Sequence, residues 1–183
     1  KANYHQKHQY DMYKAMHDSG CYQVTIACES GVQRVLDKII NKRLPVETIY
    51  PAIANAQRAG LLVHTFWILG FPGETYEEMQ QTVKFALNSG SDSFSFAILQ
   101  PLAGTPLYRK VWKEKLWWEG REKYNNFRNS LIKVDGFDGP EKFEQWVHEL
   151  NISSNLLLKK SDPEKFKWKY GENATDFDLM RQT

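Results

Sequence analysis

The sequence predicts an α/β fold built on a parallel sheet, and three observations carry that expectation. Three apolar, β-rich runs occur in order, and each is followed by a turn-forming loop and an amphipathic stretch. Strand starts near residues 24, 63 and 94 leave 39 and then 31 residues per unit, enough for a strand and a crossover helix. Loops in such a sheet collect at one end, where ligands of α/β proteins bind.

The first unit is Gln23 to Cys28, then Glu29-Ser30-Gly31 and a helix through about Ile40. A further helix, Val46 to Ala59, starts after Pro45 and stops at Gly60; Pro51 should kink or shorten its first turns. The second unit is the strand Leu61 to Leu69, the turn Gly70-Phe71-Pro72-Gly73-Glu74, and a helix from Thr75 to Asn88. Gly70 and Gly73 allow backbone angles closed to other residues, and Thr75 with Glu78 fits a capping box. Such a turn points backbone N–H groups of a helix start toward a ligand. The third unit runs from Ser93 to Leu99, through Gln100 to Pro106, into a helix from about Leu107. Phe143, Trp146, Val147 and Leu150 share one helical face after Gly139-Pro140. Residues 160 to 183 read as a loosely ordered tail.

At 183 residues, with 42% apolar and 25% charged residues, the chain suits one soluble domain with a real core. A net charge of +2 gives no specific nucleic-acid signal. The segment Arg109 to Lys133 does hold eight Lys or Arg against three Glu, with Trp112, Trp117, Trp118 and Phe127 interleaved. A solvated helix face with its aromatics packed inward is the plain reading of that segment, and contact with RNA or a membrane surface the sharper one. Cys21 and Cys28 make neither a disulfide framework nor an iron–sulfur ligand run, and no stretch is long and apolar enough to span a bilayer. A cytoplasmic location is the default expectation. Asn151 and Asn173 head glycosylation sequons, which carry little weight without an export signal.

Glu29 and Ser30 stand where a strand meets a loop, suited to ligand hydroxyl or amino groups or, equally, to starting a helix. Lys42 and Arg43 are surface charges or partners for a ligand carboxylate. Glu74 reads as a loop brace, a ligand contact or a helix-dipole partner, and His64 as a satisfied core or barrel-facing histidine. His5, His8, His17 and His148 show no metal-ligand pattern. No nucleophile elbow, P-loop or HExxH is present, so local chemistry names no catalytic residue.

Three segments taken together go further. They are Thr25-Ile26-Ala27-Cys28-Glu29-Ser30-Gly31 with Val35-Leu36 and Lys42, then Ile68 to Thr75, then Pro101-Leu102-Ala103-Gly104-Thr105-Pro106-Leu107-Tyr108. In that order and spacing they resemble the second half of the radical S-adenosylmethionine (SAM) domain, nearest to the group that often carries a cobalamin-binding domain upstream. The resemblance covers about Gly20 to Tyr108 and implies a partial (β/α) TIM-like barrel, with these strands as its fourth to sixth. Residues 1–20 would end a preceding helix, 21–118 form the barrel half, and 119–183 a helical extension and tail; the aromatic-rich region after residue 107 would cover the barrel mouth or meet a substrate or partner. Glu29 and Ser30 would face the ribose or aminoacyl part of SAM, and Lys42 its carboxylate. Ile68, Gly70, Pro72, Gly73 and Glu74 would lie beside the adenine, with Gln100 and Pro101 at the next strand edge. Phe66 stands where the broader strand-five pattern has glycine, and Glu74 is one position late for that pattern's glutamate.

The resemblance implies reductive cleavage of SAM at a [4Fe–4S] cluster, an electron donor such as flavodoxin or ferredoxin, an undefined substrate, and cobalamin in some members. The cluster's CxxxCxxC run is absent here and is expected in an upstream part of the same protein. Residues 1–183 alone are therefore expected to bind no cluster and generate no radical; a stoichiometric iron–sulfur signal after anaerobic reconstitution would overturn this. Three strands of an unfinished barrel are also expected to expose a sheet edge and a core face, so the isolated chain should self-associate. The residues alone leave open a (β/α) barrel that binds phosphate or sugar phosphate, and a non-catalytic binding module.

Overall fold

The computed structural model describes residues 6–122 and 128–171. Its elements are α1 (Gln6–Asp18), β1 (Gln23–Glu29), α2 (Ile49–Arg58), β2 (Leu62–Leu69), α3 (Tyr76–Leu87), β3 (Ser93–Ile98), α4 (Pro106–Lys113), α5 (Pro140–Ser161) and α6 (Pro163–Tyr170). The three strands form one parallel sheet in the order β1-β2-β3. The α/β class read from the sequence is the observed one.

Alternation along the strands decides which face of the sheet is covered. Val24, Ile26 and Cys28 of β1, Val63, Trp67 and Leu69 of β2, and Phe96 and Ile98 of β3 are buried with residues of α2, α3 and α5 in one apolar core. The other face carries exposed Thr25 and Ala27, then partly covered His64, Phe66, Ile68, Ser93, Ser95 and Ala97. His64 lies within hydrogen-bond distance of Ser93 Oγ (2.7 Å) and Ser95 Oγ (3.0 Å), so it is a satisfied sheet histidine. A second apolar cluster joins Val35, Phe71, Leu99 and Val111 to Trp117, Leu131 and Ile132, so the segment after residue 118 packs onto the loop end of the sheet.

Several local expectations are corrected. The helix expected through Ile40 closes instead as a wide π-turn over Val35–Ile39, with Ile40 N–H donating to the Val35 carbonyl. The helix expected from Val46 begins as a 3-10 turn and becomes α-helical only at Ile49. Pro51 then falls in the first turn of α2, where its missing N–H costs nothing. The tail expected from residue 160 is helical through Tyr170, because Pro163 starts α6 and Phe166 is buried.

The sheet edge at β3 is closed by a side chain. Asn151 of α5 donates its amide to the Phe96 carbonyl and accepts from the Phe96 N–H, both at 2.9 Å, as a neighbouring strand would. At β1 no further strand pairs among the described residues, so only that edge matches the expected open one. Replacing Asn151 with leucine keeps the bulk but leaves Phe96 unpaired, at a cost of about 1–3 kcal/mol. The expected result is a lower denaturation midpoint and more self-association by sedimentation; an unchanged midpoint would show that the edge does not need this contact.

Candidate functional site

The loops after the three strands meet at one end of the sheet, and the turn after β2 is the most constrained of them. Gly70 has φ +88°, and a Cβ there would lie 2.9 Å from Phe143 Cζ and 3.1 Å from Val134 Cγ2. Only glycine fits both the angle and the space. Glu74 is buried and folds back, so that one carboxylate oxygen accepts from Gly70 N–H and Phe71 N–H, each at 3.0 Å. Burial pushes its carboxyl up to about 7, against the pull of those two N–H groups. Arg34 pairs with Glu78 and donates to the Gly73 carbonyl at 2.8 Å, which holds Glu78 below the usual carboxylate range.

The start of α3 is satisfied from within the chain. Thr75 and Glu78 form the expected capping box, and Asp135 accepts from Tyr76 N–H at 3.0 Å. The N–H groups expected to greet a ligand at this turn are thus largely occupied by Glu74, Thr75, Glu78 and Asp135. A buried carboxyl group and three capping side chains leave a poor cradle for phosphate.

The end of β1 is irregular in a way that re-aims a side chain. Register slips between Ala27 and Glu29, and Glu29 sits at φ 71°, an angle that costs a non-glycine residue about 1–2 kcal/mol. Lys42 donates to Glu29 Oε1 at 2.9 Å and to the Ala27 carbonyl at 2.6 Å. Glu29 Oε2 is buried and has no hydrogen-bond partner. Across the sheet, Gln100 follows β3, donates Nε2 to the Asn129 carbonyl at 2.8 Å, and also leaves a buried oxygen, Oε1, without a donor. Glu74 Oε1, in the β2 turn between them, is likewise buried without a partner, and the β1 and β3 strands that carry the outer two stand two strand spacings, roughly 10 Å, apart.

The other residues named from the sequence divide clearly. Ile68 lies on the open sheet face, Pro72 and Pro101 are buried at the loop end, and Gly73 is exposed in the turn. Ser30 is fully buried under Glu29, where its Oγ contacts Thr82 Oγ1 at 3.0 Å and accepts from Val32 N–H. Its contacts tie the β1 loop to α3. Arg34, Thr82 and Asp135 were not singled out in the sequence, and Asn151 only as the head of a sequon; no local motif marks their contacts, because each acts on a partner at least 39 residues away.

Comparison with known proteins bears on the family of the chain. Residues 5–86 match the family model described as the radical SAM superfamily. The chain is 32% identical over 160 residues to cytidylyl-2-hydroxyethylphosphonate methyltransferase of Streptomyces wedmorensis, covering 84% of this chain and 30% of that protein. It is 27% identical over 127 residues to the anaerobic magnesium-protoporphyrin IX monomethyl ester cyclase of Rubrivivax gelatinosus, covering 69% and 22%. It is 36% identical over 81 residues to tRNA-2-methylthio-N(6)-dimethylallyladenosine synthase of Pectobacterium atrosepticum, covering 43% and 17%. The chain spans less than a third of the length of each of these curated relatives. Over the matched segment it belongs to the radical SAM superfamily.

That superfamily implies SAM and a [4Fe–4S] cluster. The described residues are compatible with SAM, which carries amino and hydroxyl donors, because buried oxygens of Glu29, Glu74 and Gln100 lack a donor within the chain. They do not fit the cluster. Cys28 packs into the helix-covered face, with burial pushing its thiol up to about 12, and Cys21 precedes β1 at the far end of the strand. No group of three His, Cys, Asp or Glu among the described residues is placed to hold a metal ion. No helix among them is long and apolar enough to cross a membrane.

Proposed function

We propose that this chain is the SAM-holding part of a radical SAM enzyme, working with cluster ligands supplied by another part of the same protein. The observation that supports this most directly is the set of buried, donor-less oxygens at the loop end of the sheet, Glu29 Oε2, Gln100 Oε1 and, in the β2 turn, Glu74 Oε1. Buried acceptors without donors cost about 1–3 kcal/mol each unless a ligand completes them. Lys42 holds the Glu29 carboxylate in place and offers a positive charge to a ligand carboxylate. Ile68 and the braced turn give a flat, apolar edge for a purine, and Pro101 shapes the opposite wall. When bound, SAM supplies a 5′-deoxyadenosyl radical upon one-electron reduction. The residues here bind and orient it.

The substrate belongs to regions of the protein not covered here. The named relatives include a methyltransferase, a cyclase and a tRNA-modifying synthase, so their names support radical SAM chemistry without selecting one reaction. Cobalamin use depends on a further domain. The occupied N–H groups of the β2 turn count against the alternative of a phosphate-binding barrel.

Isothermal titration of the complete protein with SAM tests the proposal. Gln100→Leu and Glu29→Gln are each expected to weaken SAM binding by about tenfold or more, the loss of one buried hydrogen bond to a charged or polar ligand group. Unchanged affinity in both variants would remove the assignment. Thermal stabilisation by inorganic phosphate but not by SAM would favour the barrel alternative instead.

A further inference from the structure

The outward face of α4 carries a group of cations with no carboxylate partner among the described residues, although Glu114 at the helix end and Glu119 beyond it are also exposed. Arg109, Lys110 and Lys113 are exposed, as are Lys115 just beyond the helix and Lys133, whose backbone N–H donates to the Leu116 carbonyl. Elsewhere Lys14, Arg34, Lys42, Arg121, Lys142 and Lys167 each sit against a carboxylate. Among the described residues the α4 group has no such partner: Arg109 donates to the Gly104 carbonyl, and Lys110 reaches the Pro72 carbonyl at 3.5 Å. Trp112 stands between Arg109 and Lys113 on the helix and Leu102 lies in the loop before it, both 50% exposed. Trp112 packs against the rings of Tyr108 and Trp117, so its free surface is held in a fixed orientation. Arg109, Trp112 and Lys113 fall at i, i+3 and i+4, on one side of the helix.

We propose that this face docks an acidic protein, specifically a one-electron carrier whose carboxylates ring an apolar spot. The proposal rests on the function proposed above, which requires a reductant. An aromatic anchor within a charged rim is the make-up of a transient protein interface, with the charges steering encounter and the tryptophan supplying contact energy. The patch also borders the candidate site, since α4 follows the loop that begins at Gln100 and Lys110 touches the β2 turn. A carrier seated there abuts the strand ends. Nucleic acid is the weaker fit, because net charge is only +2 and one aromatic ring is presented. A helix of eight residues is too short to lie stably in a lipid interface.

The test uses the complete protein and oxidised flavodoxin as the probe, with binding read by biolayer interferometry at low and high salt. Binding is expected to weaken about tenfold with added salt and about tenfold in Arg109→Glu/Lys113→Glu. Trp112→Ala should weaken it at both salt levels, and Lys84→Glu on α3 should leave it unchanged. Retained circular dichroism and SAM binding in the charge-reversed protein separate loss of docking from loss of fold. Absence of flavodoxin binding, binding indifferent to these substitutions, or capture of a mixed RNA oligonucleotide or anionic vesicle instead would overturn the proposal. Failure of the complete protein to bind SAM would sink the functional reading, while docking is still read from flavodoxin alone.

Discussion

Replacing Gly70 with alanine is expected to destabilise the protein by about 3 kcal/mol or more. Two costs act together. The backbone at φ +88° disfavours any Cβ, and the added carbon would meet the Phe143 ring at 2.9 Å. Phe143 is fully buried among Phe137 and Trp146, so it has little room to withdraw. The turn would have to move, and Glu74 would then lose its grip on Gly70 N–H. Denaturant titration reads the stability loss, and SAM titration should show weaker binding in the fraction that still folds. The double variant Gly70→Ala/Phe143→Leu should recover the part due to the clash and none of the part due to φ. An alanine variant as stable as the parent would show that the turn is not held as described.

The second large effect concerns pH. Glu74 has its carboxyl raised to about 7 from an ordinary 4.5, mainly by burial, with Phe71 and Gly70 N–H groups and Arg34 opposing and Glu78 adding to the rise. Between those two values the folded chain keeps a proton that the unfolded chain has lost. Stability from this group is therefore full below about 4.5, falls as pH rises toward 7, and is level above it. The gap corresponds to about 3 kcal/mol. Glu74→Gln mimics the protonated form and should match the parent near pH 5 but exceed it in stability near pH 8. Denaturant midpoints of the two proteins across that range provide the check, with other titrating groups cancelling in the difference. A difference that does not change with pH would mean that Glu74 is ionised throughout.

Much of the architecture was legible because it is local. Strand and helix periodicity, Gly60 as a helix end, and Thr75 with Glu78 as a capping box depend on neighbours within a few residues, and each appears as read. Pro163 shows the limit of that reading: the same residue breaks one helix and starts the next, and only buried Phe166 reveals why the chain continues as helix. Ser30 shows another limit. Its hydroxyl was equally suited to a ligand or to the chain, and Thr82, 52 residues on, occupies it.

By itself, the sequence determined the parallel α/β plan and the likeness to the radical SAM superfamily. These follow from hydrophobic period and turn chemistry, which short segments encode. Tertiary structure alone decided which polar atoms remain available. Ser30 and the α3 N–H groups are consumed by partners within the chain, while one oxygen each of Glu29, Glu74 and Gln100 is buried without one. A hydrogen bond needs its partner within about 3 Å, and that distance between remote residues is set by packing, not by spacing along the chain.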